Sequence, residues 1–246
     1  LQTIPMPSLR QFFSHRLIWL ALLVALGIGA LFARTIWTIR NDEWSYAAQT
    51  NANLPTLHRY FKLRARMLGV KDLAYYDIYA PLLKSERTFP LAEGKQMMLA
   101  SVAPLGADYV KALTGAVDAR WMDVYPRPRK VAGAYMNGDA YDVHPFVLLN
   151  YTDNYEAVST LTHEWGHAMH SVLANKAQPS IYAPYSIFVA EIASTTNEAL
   201  LLDARLKQAK DDDERLLYLG AALENLRGTF FRQAMFAEFE IGRAHV

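Results

Sequence analysis

The sequence predicts a mainly helical fold with one small β element, and three observations carry that expectation. Apolar residues recur at helical spacing in six separate stretches beyond residue 50. Proline and glycine fall between those stretches, where helices must stop. One short run, 146–151 (Phe-Val-Leu-Leu-Asn-Tyr, after Pro145), instead reads as a strand.

Taken in order, 53–68 places Leu54, Leu57, Tyr60, Phe61, Leu63, Arg64 and Met67 at roughly helical intervals, and Gly69 ends it. The stretch 73–83 is aromatic and apolar and runs to a break near Pro81. Helices are expected over 91–103 and 107–116, separated by Pro104 and Gly106. Pro126, Pro128, Gly133 and Gly138 mark a long irregular segment before the strand. Helices follow over 158–175 and 189–210. Asp211 to Glu214 then offer N-caps for a last helix, 215–236. The acidic run 211–213 reads as a solvated helix start rather than a metal site.

The two ends differ from the middle. Residues 17–33 form 17 uncharged positions flanked by Arg10 and Arg16 on one side and by Arg34 and Arg40 on the other. That length is the lower edge of a membrane span, so 1–46 is read as a hydrophobic segment that anchors in a membrane. A buried helix, or a non-native join to the rest, are the alternatives. Residues 240–246 are read as a non-native tail, with the native protein continuing past Phe239 in a different sequence.

Composition narrows the chemistry. The chain has 246 residues, 52% hydrophobic and 20% charged, which excludes disorder and low complexity. Its net charge of +1 advertises no nucleic-acid partner. With 0 cysteines there is no disulfide framework, thiolate metal site or cysteine nucleophile. Any metal must be held by His, Asp or Glu.

His163-Glu164-Trp165-Gly166-His167 is an HExxH. Residues four apart share a helix face, so both imidazoles can reach one zinc ion at about 2.0–2.1 Å. Glu164 adjoins the first ligand and can address a water on the metal as general base. The bland alternative is a helix with two polar-face histidines and a solvated Glu. Leu161, Ala168, Met169 and Val172 argue for an embedded helix instead.

A catalytic site needs a third ligand and an open position. His170 shares the face of His163 but lies about 10.5 Å along the axis, too far for one ion, so it is read as a supporting or substrate-side residue or, equally, as plain helix surface. Glu191 is the stronger candidate: it follows His167 by 24 residues and opens a second helical stretch. A loop with Pro179 and Pro184 lets that stretch return against the first. Glu198, seven further on, is the runner-up and could orient a ligand histidine through its second nitrogen. An ordinary ion pair with an arginine is the other reading of Glu198.

GDAYDVHPFVLLNY (138–151), STLTHEWGHAMHS (159–171) and FVAEIASTTNEALL (188–202) together resemble the M3 family of zinc oligopeptidases. NANLPTLHRYFKLRARMLGV (51–70) and RGTFFRQAMFAEFE (227–240) extend the resemblance, and EIASTTNE points to the bacterial oligoendopeptidase F branch. The resemblance implies a helical zincin-type catalytic domain, of which 47–239 is a part. It implies one zinc per chain on His163, His167 and Glu191, with Glu164 as base. It also implies a small β element beside the zinc helix, with 146–151 positioned to pair with substrate backbone. His144, just before that run, and Tyr151, at its end, join Glu198 and His170 as supporting or substrate-binding candidates. Short unstructured peptides are the implied substrates, and the cytoplasm the implied location; a membrane anchor at 17–33 would contradict the latter. The family's N-terminal helical region and a downstream Tyr- and His-bearing loop have no counterpart in this sequence. The functional expectation is a zinc-dependent endopeptidase, with a truncated, inactive zinc-binding fragment as the alternative; oligomeric state is not legible.

Overall fold

Helix boundaries in the computed structural model follow local chemistry closely; it describes residues 46–82, 87–233 and 235–236. Helix α1, Tyr46–Leu68, ends where Gly69 takes φ +70°, a left-handed conformation that costs glycine little. A 3-10 turn covers Tyr75–Tyr79. Helices α2, Leu91–Ser101, and α3, Ala107–Asp118, are separated by a 3-10 turn and by Gly106 at φ +100°. Then come α4, Tyr155–Ala177, α5, Ile187–Gln208, and α6, Asp212–Leu226. A π turn, Arg227–Phe231, follows α6. The fold is thus mainly α, as expected. The apolar run 17–33 and the tail 240–246 lie outside the described residues, and none of the described helices is long and apolar enough to cross a membrane.

The chain divides into two compact units. In the first, Leu1–Lys84 with Ala222–Val246, the nearly buried Arg64 joins separate segments. Its guanidinium pairs with Glu224 at 3.4 Å and donates to the carbonyls of Asp77 and Ala80. Tyr60 donates to the same Glu224, and its own pKa is pushed up to about 12 by burial and by that carboxylate.

The second unit, Ser85–Ala221, holds α2 to α5, most of α6 and the sheet. Its core gathers Phe89, Met98, Leu113, Leu149, Leu161, Trp165 and Leu201. Helix α4 is central to it. Asn154 caps its start by accepting the Ala157 N–H at 2.8 Å, and Glu156 and Lys176 complement its dipole at the two ends. Val158, Leu161, Trp165, Ala168 and Met169 form its buried stripe.

The sheet departs from expectation. It has three strands, β1 (Met122–Asp123), β2 (Tyr135–Asn137) and β3 (Phe146–Leu148), in the order β1-β3-β2. The run expected to pair with substrate is therefore the central strand, parallel to β1 and antiparallel to β2, with both edges occupied. The open edge beside α4 belongs to β2, inside the segment read as irregular. Tyr151 is likewise no part of an open groove. It is buried, its hydroxyl donates to the Phe89 carbonyl at 2.8 Å, and it fills the space left by Gly94 on α2.

Candidate active site

Helices α4 and α5 form the most extensive helix pairing among the described residues, and a glycine sets how close they come. A Cβ at Gly166 would stand 2.8 Å from the Ser194 Cα and 3.0 Å from the Ala193 carbonyl oxygen, both backbone atoms of α5. Only a residue without a side chain fits there. That close approach carries Glu191, at the exposed start of α5, to the face of α4 that bears His163 and His167.

The Nε2 atoms of His163 and His167 lie 3.1 Å apart. Glu191 Oε2 stands 3.4 Å from the first and 3.6 Å from the second. Three donors bound to one zinc at about 2.0–2.1 Å with tetrahedral angles would be separated by about 3.4 Å. Two imidazole nitrogens and one carboxylate oxygen are also the donor set suited to catalytic zinc. These three residues form the one group among the described residues that gathers donors this way, and they fit the metal that the sequence implies.

Each ring is held from behind. His163 Nδ1 faces Glu198 Oε2 at 3.4 Å, and Ser159 donates to the other oxygen of that carboxylate at 3.2 Å. His167 donates to the carbonyl of Ala190. Such partners fix a ligand ring's tautomer and orientation. They also split the two pKa values. Burial disfavours a charge on His163, but the Glu198 hydrogen bond and the carboxylates of Glu198, Glu164 and Glu191 outweigh it and raise its pKa. Burial and the charge of His163 together lower that of His167.

Glu164 is buried on the same helix, and its carboxylate accepts a hydrogen bond from the Met136 main chain on β2. Its pKa is pushed up to about 7, first by burial and then by the charges of Glu191 and Glu198; His163 and the Met136 bond oppose the rise. A carboxylate poised there can both take and give a proton near neutrality.

The remaining candidates scatter. His170 stacks on Tyr185 with ring centroids 3.8 Å apart, and its buried Nδ1 has no hydrogen-bond partner among the described residues. His144 stacks on Trp121 at 4.6 Å and touches Phe146. Neither joins the three-donor group. Reading the sequence missed Ser194, which donates to Glu191 Oε2 at 2.8 Å, and the β2 edge. The i, i+3 spacing of Glu191 and Ser194 is the signal that would have found the serine.

Metal uptake by this group has a predictable pH dependence. Both rings must be deprotonated to bind, and His163, with its raised pKa, holds a proton to higher pH than an ordinary histidine. The logarithm of the affinity should therefore climb by about one per pH unit around the usual histidine value of about 6.5, steepening to about two only further down, below the lowered pKa of His167. Competition against a chromophoric chelator between about pH 5 and 8 measures this. An affinity flat over that range would rule out histidine ligands.

The chain has clear relatives among known proteins. The description Peptidase family M3 matches residues 45–243. Oligopeptidase PepF of Bacillus subtilis is 47% identical over 191 residues, which cover 77% of this chain and 28% of that protein. An oligoendopeptidase F homolog of Lactococcus lactis is 45% identical over 188 residues, 76% of this chain and 31% of that one. A crystal structure from Chlamydophila abortus is 40% identical, covers 81% of this chain and 33% of its own, and superposes with a TM-score of 0.68. The chain spans less than a third of the length of these curated relatives.

Proposed function

Because the chain belongs to peptidase family M3, we propose that it is part of a zinc-dependent endopeptidase that hydrolyses short, unstructured peptides. One observation carries the reading: the His163, His167 and Glu191 donors converge at tetrahedral spacing with Glu164 beside them. On this reading 47–239 is a portion of the catalytic domain, and one zinc is held per chain. Bound zinc supplies Lewis acidity toward the scissile carbonyl and a water of lowered pKa. Glu164 accepts the proton of the attacking water on its carboxylate and passes it to the departing amine nitrogen. Its burial keeps solvent from competing for that proton, and the Met136 N–H holds the carboxylate in line. Glu198 and the Ala190 carbonyl keep both imidazoles aimed at the same point.

Main-chain pairing of a peptide falls to the open edge of β2 rather than to β3. Val147, opposite Met136, turns its N–H to the Trp121 carbonyl on the far side, so Met136 turns its main chain outward, its N–H going to Glu164 and its carbonyl left to accept from a peptide N–H. Strand pairing requires an extended chain, which supports flexible peptides over folded proteins as substrates. The names oligopeptidase and oligoendopeptidase carried by the relatives point the same way. A cytoplasmic location rests on the family resemblance alone.

The test uses the protein extended to the length of its relatives and loaded with zinc. It should cleave internally quenched peptides of about 5–20 residues and leave a native globular protein intact. Comparable cleavage of the folded protein would overturn the substrate assignment.

A further inference from the structure

We infer that Ser194 is a positioning residue that locks the Glu191 carboxylate onto the metal-facing side of α5. The inference rests on the metal-site reading above and adds to it a residue outside the HExxH and its glutamate. Glu191 is the weakest-held of the three donors: its side chain is 50% exposed, whereas those of His163 and His167 are 24% and 11% exposed. A glutamate with that freedom samples many rotamers, and most of them carry its carboxylate away from the histidines. Ser194 limits the choice. Its Oγ donates to Glu191 Oε2 at 2.8 Å, the same oxygen that faces both imidazoles. The serine itself is fully buried, because its backbone lies against Gly166 on α4. One anchored hydroxyl thus ties the mobile carboxylate to the place where the two helices are closest.

The arrangement is also one that a substitution can probe cleanly. The Ser194 hydroxyl stands 3.1 Å from the Glu191 main-chain carbonyl, an alternative acceptor one turn back on its own helix. It has a partner whether or not the carboxylate is in place, so its role at Glu191 is not a by-product of satisfying a buried hydroxyl. Alanine at 194 removes one oxygen, adds no volume against Gly166 and is the best helix former.

Ser194→Ala should weaken zinc binding about 10-fold to 100-fold, the range for partners that orient metal ligands, and should leave the melting temperature of the metal-free protein unchanged. The effect must vanish when Glu191 is absent. The experiment compares wild type, Ser194→Ala, Glu191→Ala and the double variant by chelator competition, with thermal unfolding of each metal-free protein. Loss in the single variant and none between Glu191→Ala and the double variant is the expected result. A Ser194→Ala protein that binds zinc like wild type overturns the serine's role and leaves the metal site standing. A loss that persists in the Glu191→Ala background shows a general packing effect and also overturns it. A wild-type protein that binds no zinc takes down the metal-site reading and this inference together.

Discussion

Glu164→Gln should keep the metal and lose the chemistry. The amide matches the carboxylate in size but cannot take a proton, and Glu164 is not among the three converging donors. Loss of a general base removes about 10²–10⁴ of the rate, so kcat of the extended, zinc-loaded protein should fall by that factor with one zinc retained. A second readout needs no activity. In the metal-free protein the Glu164 pKa lies at about 7, above its ordinary 4.5, so the fold holds that proton more tightly than the unfolded chain does. Stability from this source is fully present below the ordinary value and is lost as pH rises through about 7, with a ceiling of about 3 kcal/mol. Urea denaturation of wild type at several pH values should show the decline, and the Gln variant should show a shallower one. The raised pKa of His163 contributes a residual slope of the same sign. Identical slopes in the two proteins would mean that Glu164 is not buried as described.

Gly166→Ala is the second large effect, and its sign is decided by two opposed terms. Alanine in place of glycine inside a helix gains about 1 kcal/mol. Against that, the new Cβ would stand 2.8 Å from the Ser194 Cα and 3.0 Å from the Ala193 oxygen, and backbone cannot swing aside as a side-chain tip can. Overpacking of this kind costs about 1–3 kcal/mol, so a net loss of up to about 2 kcal/mol is expected, more for valine. The shift also moves the start of α5 and with it Glu191, so zinc affinity should drop along with stability. Chemical denaturation and chelator competition on the same samples check both. A stabilised variant with wild-type affinity would show that the helices have slack at this contact.

Legibility of the site in the sequence tracked how local each constraint is. His163 and His167 were readable because an i, i+4 pair is a property of one helix turn. Glu191 needed one more step, a proline-bearing loop that returns the chain, and Glu198 followed from its place two turns on. Strand β2 was not readable. Its three residues, between Gly133 and Gly138, are too few to show alternation, and they become a strand only by pairing with β3. The same non-locality governs Tyr151. Tyr151 stood as a supporting or substrate-binding candidate, and its burial depends on Gly94, far earlier in the chain, which leaves the space it fills. Ser194 was legible in part: its i, i+3 spacing to Glu191 is local, but its burial comes from packing against Gly166 on another helix.

Metal content after equilibrium dialysis against limiting zinc tests the central claim most directly. Wild type should retain one zinc per chain, and His163→Ala and His167→Ala should each retain almost none at limiting zinc, because two remaining donors bind the ion too weakly to keep it there, at an affinity that only chelator competition at higher zinc still reads. One full equivalent in both histidine variants would contradict the site.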